Sequence, residues 1–213
     1  MRAAVSLSFL CGISLFLTAV VNVNASPLSR RAIPEPIAAS TARTYLSELT
    51  VADEVNEPAY SRDEFKTWDT INGTCNTRET VLKRDGSNVV VNSACTAVSG
   101  SWTSPYDGKT TSNASTFDID HIVPLKEAWI SGARSWTAAQ RESFANDLTR
   151  PQLLAVDASI NRSKGDRDPK EFVPPLESYV CTYIRAYVQV KHFYAMTVDS
   201  GEKTAIEGYL SGC

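Results

Sequence analysis

The sequence predicts an α+β fold: a ββα core with a β-rich lead-in before it and a C-terminal helical hairpin after it, stapled by two disulfides. Three observations lead there. Residues 117–123 (FDIDHIV) mostly alternate apolar and polar, the period-two pattern of a half-buried strand that Pro124 must end. A second apolar run, Leu153 to Val156, leads into DASINRSKGD, a short polar helix. Near the C-terminus, Val180, Tyr183, Ile184, Tyr187 and Val188 recur at helical spacing.

Taken in order, the chain begins with a targeting segment. Arg2 is followed by an apolar run from Val5 to Val21, and Val23-Asn24-Ala25 fits a small-residue cleavage site, so residues 1–25 read as a signal peptide and the protein as extracellular. Arg30-Arg31 is either a second processing site or a polar linker, which makes residues 26–56 a possible propeptide, a linker and an N-terminal helix. That helix is expected over Ser40 to Val51, capped by Ser40 or Thr41, with Tyr45, Leu46 and Leu49 inward. No other stretch is apolar enough to cross a bilayer, so no stable membrane association is expected.

The lead-in follows. Phe65 and Trp68 are spaced for one helical face. Val81-Leu82 and Val89 to Val91 flank Asp85-Gly86 as a predicted hairpin, and Asp107-Gly108 marks a second turn. Between the two core strands a helix is expected from Leu125 to Ser131, stopped by Gly132. Another runs from Thr137 to Leu148, opened by a Thr137/Gln140 capping box. After Pro174-Pro175, Leu176 to Val198 and Glu202 to Leu210 read as an antiparallel helix pair. His192, on the first of these, is expected to be structural or exposed.

Cys75, Cys95, Cys181 and Cys213 remain after the signal, which suits an oxidising compartment. Four cysteines allow three pairings. Locality favours Cys75–Cys95 and Cys181–Cys213, each worth about 3 kcal/mol by chain entropy. The absence of any CxxC pair disfavours zinc. Asn72, Asn113 and Asn161 each open a glycosylation sequon. The formal charge of −3 becomes −6 once Arg2, Arg30 and Arg31 leave, which excludes a strong, charge-driven nucleic-acid binder. A local basic edge, Arg162, Lys164 and Arg167, meets either a phosphate or only solvent. Arg62 and Arg78 carry the same choice.

The two core motifs, DIDHIVPL and PQLLAVDASINRSKGD, resemble the ββα-metal core of the HNH nucleases. They are similar above all to a secreted microbial HNH-like family with DHIVPL and NRSKGD-type motifs and paired cysteines. The resemblance covers most of the chain from about Tyr60 to Cys213, and residues 57–213 are read as one HNH-like nuclease domain. It implies His121 as general base, Asp120 and Asn161 as ligands of one divalent cation, and Gln152 in the place of an asparagine that orients the base. Lys164 could then meet a phosphate oxygen, with Asp118 and Asp166 as lesser candidates for ligands. Oxygen donors suit Mg²⁺ or Mn²⁺, and Asn161 as a ligand must carry no sugar. The implied activity is metal-dependent hydrolysis of phosphodiester bonds in a nucleic-acid substrate, DNA or RNA, with low sequence selectivity. The rival expectation is a secreted binding or effector protein without catalysis, for which the Gln152 substitution is the main support. A serine hydrolase is excluded by the lack of a GxSxG elbow.

Overall fold

The computed structural model describes residues 33–213. The expected signal peptide, the Arg30-Arg31 pair and Cys11 lie outside them. Helix α1 spans Ala39–Glu48 and starts from Ala38, not from Ser40 or Thr41, with no side-chain cap. Its Ala42 and Leu46 enter the main core. The expected helical face of Phe65 and Trp68 is absent. A single 3₁₀ turn, Arg62–Glu64, precedes them, and Trp68 adopts φ 64°. That backbone sends the two aromatics to different cores, Phe65 to the main one and Trp68 to a smaller one.

Strands β1 (Thr70–Asn72) and β2 (Cys75–Asn76) form a short antiparallel pair leading into α2, Thr77–Asp85. The hairpin expected at Asp85-Gly86 is therefore a helix end. A capping box decides it: Asn76 accepts from the Glu79 amide, and the Glu79 carboxylate accepts from the Asn76 amide. Gly86 is required there by close packing, because a Cβ would sit 2.5 Å from the Trp102 indole nitrogen. The hairpin lies one element later, between β3 (Ser87–Val91) and β4 (Ala97–Thr103), with β5 (Thr110–Thr111) added at its edge. Asn92 closes its turn by accepting from the amides of Ala94 and Thr96. The turn at Asp107-Gly108 forms as expected, with Gly108 at φ 75°.

β6, Phe117–His121, leads through Pro124 into α3, Leu125–Ile130. α4, Ala138–Ala145, opens with the expected Thr137/Gln140 capping box. β7, Leu153–Asp157, pairs antiparallel with β6 in a register that sets Asp120 opposite Leu154 and His121 opposite Leu153. It runs directly into α5, Ala158–Lys164. Two antiparallel strands followed by a helix are thus present where the sequence predicted them. α6 (Glu177–Phe193) and α7 (Ser200–Ser211) form the C-terminal pair. The stripe of Tyr183, Ile184, Tyr187 and Val188 is fully buried, at roughly 1.5–3 kcal/mol per large apolar side chain.

The chain is mixed α+β and carries both expected disulfides, Cys75–Cys95 and Cys181–Cys213. The smaller core, with Val81, Leu82, Trp102, Phe117, Ile119, Leu153 and Ala155, lies between α2, β4 and the β6/β7 pair. α2 also covers the outer edge of β7. Arg84 donates to the Leu153 carbonyl at 2.5 Å, and Asp85 accepts from the Ala155 amide at 2.9 Å. In the main core Lys191 is fully buried, its ammonium shared by Glu127, Glu202, Ser131 and the Thr197 carbonyl. Among the described residues no helix is long and apolar enough to cross a membrane.

Candidate active site

Alternation along β6 divides its chemistry between two faces. Phe117, Ile119 and His121 share one face, and Asp118 and Asp120 the other. The sheet does not end at His121. The Ile122 amide donates to the Gln152 carbonyl at 2.8 Å. The Gln152 side chain then imitates one more rung: its Oε1 accepts from the Val123 amide at 3.1 Å, and its Nε2 donates to the Val123 carbonyl at 2.9 Å. Gln152 is fully buried in this role.

On the Asp face, α5 is aimed by its own start and stop. Asp157 caps it by accepting from the amides of Ser159 and Ile160, and Gly165, at φ 59°, turns the chain away after Lys164. Asn161 and Lys164, three apart, share the face turned toward β6. Lys164 is fully buried and donates to Asp120 Oδ1 at 2.9 Å and to the His121 carbonyl at 2.8 Å. The other Asp120 oxygen accepts from the Tyr106 hydroxyl at 2.5 Å. Asn161 Nδ2 lies 3.4 Å from Asp118 Oδ2, and the exposed Arg162 approaches the same carboxylate at 3.8 Å.

On the other face, the His121 Nε2 is 2.9 Å from the carbonyl of Ala145, at the end of α4. An acceptor there requires a proton on Nε2 and leaves the lone pair on Nδ1. The ring lies near Phe144 and Trp68, with centroids 6.4 and 6.1 Å away. Both faces open at the strand end into a cleft of about 580 Å³. It is lined by Asp118, Asp120, His121 and Asn161, with Tyr60, Arg62, Trp68, Arg78, Lys126 and Arg162 around them.

Residues 77–206, more than half of the chain, match the family described as GmrSD restriction endonucleases, C-terminal domain. The chain belongs to this family. It is also 53% identical over 199 residues to an uncharacterized secreted protein of Arthroderma benhamiae (strain ATCC MYA-4681 / CBS 112371), an alignment covering 93% of this chain and 98% of that one. No solved structure matches it. The span matching the GmrSD C-terminal domain holds β6, β7 and α5. It begins at Thr77, so the cleft residues Tyr60, Arg62 and Trp68 come from outside it.

Within this GmrSD-type domain the structure brings Asp120, His121, Asn161 and Lys164 to one strand end, and it departs from the expected placements of Gln152 and Lys164. The Gln152 amide hydrogen-bonds Val123 and not the His121 ring. It holds the loop that follows the ring, and the Ala145 carbonyl does the orienting. Lys164 does not face the cleft, so its ammonium serves Asp120 and the β6 backbone and not a phosphate. Asp166 is tied to Lys126 at 2.5 Å at the cleft mouth. His192 stacks on Tyr45 at 3.7 Å and bonds Glu48 at 2.7 Å on the α1/α6 surface. Two contributors escaped the sequence reading. Tyr106 was visible only as a residue beside a turn, and the Ala145 carbonyl, being backbone, has no sequence signal.

Burial sets the electrostatics. Desolvation pulls the His121 imidazole down to about 4 despite the hydrogen bond to Ala145, with Arg62 and Lys164 adding to the fall. The ring is neutral, and able to accept a proton, throughout the neutral range. Burial also raises Asp120 against the pull of Lys164 and Tyr106, and lowers Lys164 against the pull of Asp120. The attraction between the two charges partly offsets the desolvation of each. Asp118, Asp120 and Asn161 line the same cleft, and each Asp120 oxygen, with one hydrogen bond made, retains a second lone pair.

Proposed function

We propose that the protein is a secreted, metal-dependent endonuclease of the HNH type that hydrolyses phosphodiester bonds of DNA, and of RNA as a second substrate, with low sequence selectivity. The observation that carries this reading is the fixed tautomer of His121. Its Nε2 is committed to Ala145, and its Nδ1, with no protein partner among the described residues, belongs to a ring that lines the cleft. Extracellular action is supported by the 53%-identical secreted relative and by two disulfides.

In this mechanism His121 Nδ1 takes a proton from water as the oxygen attacks phosphorus, the bond to the 3′-oxygen breaks, and the leaving oxygen is protonated from solvent. Asp120 and Asn161, with Asp118 beside them, are the residues that would hold Mg²⁺ or Mn²⁺. The bound cation would neutralise charge on the phosphate and on the leaving oxygen. Tyr106 and Lys164 fix the Asp120 carboxylate, and Gln152 fixes the loop after the base.

One observation favours a second reading, a secreted binding or effector protein without catalysis: both Asp120 oxygens already have partners. A plasmid-nicking and RNA-degradation assay separates the two. Purified wild type and His121→Ala are each incubated with Mg²⁺, Mn²⁺ or EDTA. Metal-dependent cutting that is lost in His121→Ala supports the nuclease. A folded, disulfide-bonded wild type that cuts neither substrate with either metal supports the second reading.

A further inference from the structure

The cleft holds two kinds of cation. Lys126 and Arg162 are engaged by Asp166 and Asp118. Among the described residues, Arg62 and Arg78 line the same cleft without a carboxylate partner. Neither position is loose. The Arg62–Glu64 turn is pinned to α4 by Arg141, which donates to the Glu64 carbonyl at 2.9 Å and to its carboxylate at 2.8 Å, and by the buried Phe65. Arg78, on α2, donates through Nη2 to the Phe117 carbonyl at 3.0 Å, leaving the rest of its fork of N–H donors for a ligand. A guanidinium without a carboxylate partner in a polar cleft is a fitting receptor for a phosphate, which it can bind with two parallel hydrogen bonds.

The two arginines sit at opposite ends of β6. The Arg62–Glu64 turn lies toward the His121 end: Phe65, which follows it, packs on Phe144 at 6.1 Å, Phe144 lies 6.4 Å from the His121 ring, and Arg62 and His121 line the same cleft. Arg78 touches Phe117. Phe117 and His121 are four residues apart on an extended strand, about 13 Å, too far for one phosphate to bridge.

Resting on the nuclease reading, we infer that Arg62 and Arg78 clamp two different phosphates of one nucleic-acid strand laid along β6. Arg62 takes the phosphate at the reacting centre, and Arg78 takes one further along, toward the Phe117 end. The clamp explains how a chain with an acidic overall balance holds a polyanion: the positive charge is placed, not spread. It also assigns a part of substrate binding to a segment that precedes the span matched by the GmrSD domain family.

The test uses the mature, oxidised protein with Arg62→Met, Arg62→Lys, Arg78→Met and Arg78→Lys. Binding of a fluorescein-labelled DNA oligonucleotide is followed by anisotropy in EDTA, where nothing is cut, across a series of NaCl concentrations. Each Met variant is expected to weaken binding roughly 5- to 10-fold and to reduce the slope of log K against log[salt] by about 1, while each Lys variant restores the slope. Hydrolysis of bis(p-nitrophenyl) phosphate with Mn²⁺ then distinguishes the two positions: Arg62→Met lowers kcat/KM more than Arg78→Met does. Unchanged affinity and slope in either Met variant overturns the clamp, as does an equal loss for both on the small diester, or a wild type that does not bind the oligonucleotide. Failure of the nuclease reading is separate: a wild type that binds the oligonucleotide with the arginine-dependent slope but cuts nothing retains the clamp and loses the chemistry.

Discussion

His121 gives its Nε2 proton to the carbonyl of Ala145, 24 residues further along the chain, at 2.9 Å. The acceptor is main chain at the end of a helix, so it survives almost any substitution at position 145 and fixes the imidazole in one tautomer.

The first prediction concerns that ring. His121→Ala should lower the rate of DNA cleavage by about 10²- to 10⁴-fold. Because burial holds the imidazole near 4, the base is lost only as pH falls through that value. The acid limb of kcat/KM should therefore lie near pH 4. A pH–rate profile checks this, and a limb at the ordinary histidine value of about 6.5 would show a solvated ring.

Gln152→Ala should leave the amide and carbonyl of Val123 unpaired in a fully buried site. A stability loss of about 3 kcal/mol is expected from those two groups, together with a fall in kcat as the loop after His121 relaxes. Urea unfolding and steady-state kinetics on the same variant test it. A loss of activity with stability intact would return Gln152 to direct orientation of the ring.

Tyr106→Phe removes one hydrogen bond to a buried carboxylate and nothing else of size. About 1.5–3 kcal/mol of stability should go with it. Asp120, deprived of a donor that favours its ionised form, should also bind Mn²⁺ more weakly, which titration calorimetry would detect. Unchanged Mn²⁺ affinity would exclude Asp120 from the cation site.

Lys191 binds Glu127 and Glu202 together in the main core. Lys191→Ala should cost about 3–5 kcal/mol, because two buried carboxylates lose their counter-ion. The pH dependence has a definite sign. Burial raises Glu202 to about 7, against the pull of Lys191. The folded state therefore keeps a proton that the unfolded chain releases between its ordinary value and about 7, and stability declines as pH rises through that window. Urea midpoints measured from pH 5 to pH 8 would show the decline, and Glu202→Gln should flatten it.

What the sequence revealed was what periodicity and punctuation encode. The alternation ending at Pro124, the Thr137/Gln140 box and the helical stripe of Tyr183 to Val188 all appear where expected. The failures were local contests with a stronger competitor. Asp85-Gly86 reads as a hairpin only until Asn76 and Glu79, ten and seven residues before Gly86, are seen to start a helix. Phe65 and Trp68 share helical spacing, yet the positive φ at Trp68 parts them. The site was legible in its residue types and not in its directions. Nothing in NRSKGD says that the lysine turns inward while the asparagine stays at the cleft, because that is decided by where α5 sits on β6.

The Cys75–Cys95 bridge has a consequence for timing. It closes the segment that contains α2, and α2 carries Arg78, covers the edge of β7 and supports the strand ending in His121. In a reducing cytosol that bridge does not form, so a newly made chain lacks the brace behind its own reactive groups. On the function proposed above, the support behind His121 is completed only once the chain has entered an oxidising compartment, away from the nucleic acid of the cytosol.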